Sequence, residues 1–342
     1  MSAPTVHNPT SDPFANPASS EDQPATLPDL PPVEPPSAGF VVQLFVIPAA
    51  VVVVVIIVWL LFGKLAGGER DAMEYVRQLR SPTSNWRLAF ELASLIQHDP
   101  KIGSDPLLLG ELTDLLSSEL DRNEDPKLTQ YVALTLGAFR TLEARTKSGE
   151  SIDPLVPLSR ALEPKYKSPI QIAAAASLAK QAARMNGQLD DPRTAQALGM
   201  AATTSEPEVR QMAVYALGFF GGSTASELLR ERVRGDEDRF VRYNAAVALA
   251  RRGDTAAEGT LREMLSTVDL NRVIELTSTT EKENKIEAIQ LEAIEALRSS
   301  ISNGSPELAK SLQPQITVLT RSGLASVRSQ ALEVLQNLQP KP

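Results

Sequence analysis

The chain has 342 residues, 5% aromatic, with no cysteine and a formal net charge of −8. Lack of cysteine excludes disulfides, thiolate metal sites and a cysteine nucleophile of its own. Five acids without a Lys or Arg (Asp12, Glu21, Asp22, Asp29, Glu34) precede residue 40 and leave −3 for the rest. A near-neutral remainder lacks the basic field that holds phosphate backbones, so no nucleic-acid partner is expected.

Residues 1–39 hold ten of the 25 prolines and read as a disordered, acidic, Pro-rich tail. Residues 40–62 carry no charge, and at about 1.5 Å per residue such a helix reaches roughly 34 Å, so a single transmembrane helix is expected there. Lys64, Arg70, Arg77 and Arg80 follow the span and no basic residue precedes it, so the positive-inside rule predicts a cell inner-membrane protein with the tail outside and the remainder cytoplasmic. A short Gly-containing linker occupies 63–68, and 69–342 forms the folded region. Frequent Ala and Leu, without alternating β-branched runs beyond residue 62, predict an all-α fold.

Beyond the linker a helix of the form V-R-x-x-A-x-x-A-L recurs, clearest in Val209, Arg210, Ala213, Ala216, Leu217 and in Val241, Arg242, Ala245, Ala248, Leu249. Its last leucine anchors seven segments at Leu92, Leu136, Leu178, Leu217, Leu249, Leu297 and Leu335. Their spacings of 44, 42, 39, 32, 48 and 38 suit stacked helix pairs with insertions in the loops. Four residues before each anchor stand Leu88, Val132, Ala174, Ala213, Ala245, Ala293 and Ala331, on the same helical face and expected to pack inward. First helices are expected to open at Asp105-Pro106, Asp153-Pro154, Asp191-Pro192, Ser223, Thr255 and Ser305-Pro306. The first copy departs most, with Asn85 where the pattern has Arg, and 277–285 reads as an inserted loop or an extended helix end.

These residues resemble HEAT repeats, with Pro207 through Gly218 the closest match, as a bacterial membrane-anchored member of that family. The resemblance implies a right-handed α-solenoid of about seven helix pairs, second helices lining the concave surface, and Arg210, Arg242 and Arg328 in a ladder with acids of the turns. Tyr131, Tyr215 and Tyr243 fall on second helices and, with Arg210 and Arg242, are the candidate protein-binding groove residues.

No catalytic, cofactor or metal site is expected. His7 and His98 are the only histidines, no Walker A or dinucleotide glycine pattern occurs, and the acid pairs lie on solvated helix surface. The chain is expected not to be an enzyme but a membrane-tethered scaffold or adaptor for a protein partner, without a small-molecule cofactor. Two alternatives are a structural subunit of a membrane complex and, through the family resemblance, a bilin lyase-type enzyme whose reactive cysteine belongs to its substrate.

Overall fold

The computed structural model describes residues 71–339, which lie within a compact unit spanning Arg70–Pro342. Among the described residues, helices fall into seven successive pairs. First helices are α1 (Ala72–Leu79), α3 (Pro106–Arg122), α5 (Leu155–Arg160), α7 (Pro192–Ala201), α9 (Gly222–Gly235), α11 (Glu258–Leu265) and the broken helix α14 (Glu307–Ser311) with α15 (Gln313–Leu319). Second helices are α2 (Trp86–His98), α4 (Pro126–Leu136), α6 (Ser168–Arg184), α8 (Pro207–Leu217), α10 (Arg239–Arg251), α13 (Thr279–Ser302) and α16 (Ala325–Asn337). An additional helix, α12 (Thr267–Val273), enters between α11 and α13, and a short antiparallel hairpin, β1 (Ala144–Arg145) and β2 (Ser151–Ile152), packs on α3.

Each second helix packs on the next, and first helices pack on first helices, so the unit is a two-layer solenoid of paired helices. The caps follow the sequence. Asp105, Asp125 and Asp191 accept bonds from backbone N–H groups of the turn that follows, with proline at the first helical position of α3, α4, α7 and α8. Asn85, the departure from the repeat, is the N-cap of α2 and accepts a bond from Arg87 N at 2.9 Å.

The inner column is fully buried at Val132, Ala174, Ala213, Ala245, Ala293 and Ala331, and the anchor leucines are buried except Leu335, which is half-buried. Small residues set how close neighbouring second helices come. Gly137 follows its anchor leucine, and a Cβ there would lie 2.8 Å from Ser177 Cα; Gly218, at the equivalent place, would put one 3.0 Å from Ala248 Cβ. Thr135 donates its hydroxyl to Ala89 O at 3.1 Å, and Ser177, one repeat on, donates to Ala133 O at 2.7 Å.

The carbonyls left unpaired at the end of one second helix are met by side chains of the next. Gln181 donates to Leu136 O at 2.8 Å, and Arg184 donates to Gly137 O at 3.1 Å and to Phe139 O. Arg252 reaches Leu217 O and Gly218 O at 3.1 and 3.2 Å, and Asn303 reaches Arg251 O at 3.2 Å. Burial pushes the Arg184 and Arg252 pKa values down, yet guanidinium stays charged and donates to several carbonyls at once.

One sequence expectation is corrected here. The segments 1–39, 40–62 and 63–68, with the predicted span, lie outside the described residues, and among the described residues no helix is long and apolar enough to cross a membrane. The longest, α13, carries Glu281, Lys282, Glu283, Lys285, Glu287, Glu292, Glu295 and Arg298. The supported fold is the all-α solenoid of paired helices; no transmembrane helix is found among the described residues, and the bacterial membrane-anchored assignment, single-pass topology and inner-membrane placement are withdrawn.

A Gly137→Ala substitution should force α4 away from α6 and lower stability by about 1–3 kcal/mol, the usual cost of overpacking. Urea unfolding of the full chain measures it; an unchanged midpoint would mean the two helices are not in tight contact.

Candidate functional site

A concavity of about 600 Å³ lies on the second-helix layer where α8, α10 and α13 follow one another. Gln211 comes from α8, Phe240, Tyr243 and Asn244 from α10, and Lys285, Ala288, Ile289 and Glu292 from α13; residues 273–276 close the remaining side. Its floor is apolar, with Ile274 and Ile289 buried and Phe240 and Val273 half-buried. Its rim is polar: the amides of Gln211 and Asn244, the carboxylates of Glu275 and Glu292, and Lys285, whose Nζ lies 4.7 Å from the Phe240 ring centroid.

The wall at 273–276 and the helix α12 that leads into it are held by three polar contacts. Arg239 donates to Val273 O at 3.2 Å while its Nε lies 3.0 Å from Glu263, Lys282 donates to Asn271 O at 2.7 Å, and Gln290 donates to Thr267 Oγ1 at 2.9 Å. Together they fix α12 and the chain after it against α10 and α13. The stretch 277–285 is thus an extended helix end from Thr279 onward, packed at the pocket.

Of the sequence candidates, Tyr243 reaches this pocket, but from within the core. It is 3% exposed, packs edge-on to Phe240 at 6.0 Å, and donates its hydroxyl to Glu263 Oε1 at 2.7 Å. Burial, and then the bond and charge of Glu263, push its hydroxyl pKa well above the usual tyrosine range. Tyr215 is 47% exposed, stacks edge-on with Phe219 at 5.0 Å, and lies outside the pocket lining. Tyr131 is half-buried in a separate cluster, 4.7 Å from Trp86.

Arg210 and Arg242, near the starts of α8 and α10, send their side chains to the turns. Arg210 donates to Thr204 O and Ser205 O at 2.9 and 3.0 Å and pairs with Asp236 and Glu237 of the next turn at 3.4 and 3.2 Å. Arg242 donates to Asp236 O and Glu237 O at 2.7 and 3.2 Å, and Arg328 repeats the bond to Ser322 O. The five candidates are therefore not gathered at one place. What sequence reasoning missed is the pocket's wall, whose signal is the apolar set Leu270, Ile274 and Leu276 within the longest repeat spacing.

HEAT repeats match residues 167–250, and the PBS lyase HEAT-like repeat matches 241–267. The fold is a HEAT-like solenoid of paired helices. No curated protein matches the sequence. Among solved structures, an engineered protein is 18% identical over 79% of this chain and 99% of its own, with a TM-score of 0.39. A designed armadillo repeat protein is 16% identical over 79% and 100%, TM-score 0.32, and human deoxyhypusine hydroxylase in complex with glycerol 16% over 81% and 98%, TM-score 0.30. Among the described residues no cluster of His, Asp or Glu could hold a metal ion.

Because the raised Tyr243 pKa keeps the proton on the folded form, its contribution to stability is complete below the ordinary tyrosine value of about 10 and is lost as pH rises above it. Ultraviolet titration of the full chain should show one tyrosine ionising last, together with loss of helix, and Tyr243→Phe should remove that step. Five tyrosines ionising together in the folded chain would contradict the assignment.

Proposed function

We propose that the chain is a protein-binding helical-repeat domain that takes an apolar segment of a partner into the pocket between α10 and α13. The observation that carries this reading is the combination in one depression of an apolar floor with convergent amides from two successive second helices. An apolar side chain of a bound segment would fill the floor, while the Gln211 and Asn244 amides, whose nitrogens donate to Asp238 and to Gln211 O, offer their oxygens to its backbone N–H groups. On this reading the chain performs no reaction and needs no cofactor.

The membrane-tethered scaffold predicted from the sequence is corrected: no described helix is long and apolar enough to cross a membrane, and the repeat matches involve none of residues 40–62. Membrane attachment of the partner-binding unit is dropped with it, as is the membrane-complex subunit.

The match at 241–267 speaks more for the lyase-type alternative than for the tethered scaffold, and it favours a second reading, since that segment contains Tyr243 and Glu263 behind the pocket. The pocket would then hold a bilin while a cysteine of a partner protein adds to it. Incubation of the full chain with bilin and a cysteine-bearing pigment apoprotein separates the two readings, because a covalent adduct that survives denaturation belongs to the enzyme alone.

Ala288→Trp fills the pocket from an exposed position of α13. Crosslinked capture with the full chain should retain a partner whose binding weakens about tenfold or more in Ala288→Trp at unchanged thermal stability. Equal capture by a folded Ala288→Trp chain would remove the pocket from the binding site.

A further inference from the structure

A second feature of the second-helix layer lies far from the pocket in sequence, on α2 and α4. Trp86 and Tyr131 have ring centroids 4.7 Å apart, and Phe90 meets Tyr131 edge-on at 6.4 Å and an interplanar angle of 82°. Phe90 is 58% exposed, an unusual place for a phenylalanine, and no element among the described residues covers it. Two cations border the rings: Lys127 Nζ stands 4.1 Å from the Trp86 centroid and the Arg87 guanidinium 5.6 Å from it.

Among the described residues neither cation has an ion-pair partner, although Arg77, Arg80 and Arg122 in the same two repeats all pair with carboxylates. Helix stability does not account for them either. Each sits in the first turn of its helix, where the backbone dipole disfavours positive charge. Two cations that make no ion pair among the described residues thus flank the half-buried Trp86 beside the exposed Phe90.

We propose that this aromatic and cationic patch docks an acidic, proline-containing peptide segment of a partner protein. Carboxylates of the segment would meet Arg87 and Lys127, and proline rings, already restricted to an extended helix, would lie on Phe90 and Tyr131 at small entropic cost. This site is separate from the pocket and does not depend on the function assigned there.

The probe is a fluorescein-labelled synthetic peptide of repeating Glu-Leu-Pro-Pro, titrated with the full chain and followed by anisotropy. Saturable binding is expected that weakens with added salt, that falls about tenfold or more in the Arg87→Glu, Lys127→Glu double variant and in Phe90→Ala, and that is lost when Gln replaces Glu in the peptide. Ala288→Trp should leave it unchanged. Absence of binding, equal binding by the charge-reversed and Phe90→Ala chains, equal binding of the Gln peptide, or loss in Ala288→Trp would each overturn the proposal.

Discussion

The stack depends on how the end of one second helix is satisfied by the next. An α-helix leaves its last carbonyls without partners, and in a solenoid those ends come close to the following repeat rather than facing open water. Here Gln181 and Arg184 close the end of α4, and Arg252 closes that of α8. Each bond to a charged donor is worth about 1.5–3 kcal/mol, and leaving a buried carbonyl unmet costs a comparable amount. Beyond the ends of α6 and α8 backbone makes the join between their following loops, where Gly221 N donates to Leu189 O at 2.9 Å. Close approach is the precondition for all of these bonds, which is why Gly137 and Gly218 follow their anchor leucines.

First helices use the same principle with different residues. Arg160 of α5 donates to Ser117 O of α3 at 2.8 Å and pairs with Asp121, and Arg232 of α9 reaches Ala202 O beyond the end of α7. Between the layers, Arg210 ties two successive turns together through Asp236, which is itself buried. With neighbours fixed this way, the extra helix α12 can be seated on α10 and α13 without disturbing the stack, and the pocket is the space it leaves.

Much of the fold was legible in the sequence because a helix pair repeats its needs. The spacing of anchor leucines gave the second helices, the small residues four positions earlier gave their inner face, and Asp-Pro pairs marked several starts. Less of the site was legible. Periodicity says that Tyr215 and Tyr243 both lie on second helices, but only the packing decides that one is buried against Glu263 while the other, edge-on to Phe219, stays 47% exposed. The ladder role of Arg210 follows from the turn acids, whereas the recipients of Arg184 and Arg252 are backbone carbonyls, which leave no trace in residue types. The uncharged run at 40–62 suggested a membrane anchor through length and hydropathy alone, and the described fold carries no counterpart to it.

Hydrogen exchange on the full chain, comparing Arg252→Met with the natural residue, tests most directly whether these clasps hold the stack. The account predicts faster exchange confined to α8, α9 and α10, the elements that Arg252 joins, with the amides of α2, α4 and α16 unaffected. Unchanged exchange in α8 and α10, or an equal increase along all the described helices, would contradict it.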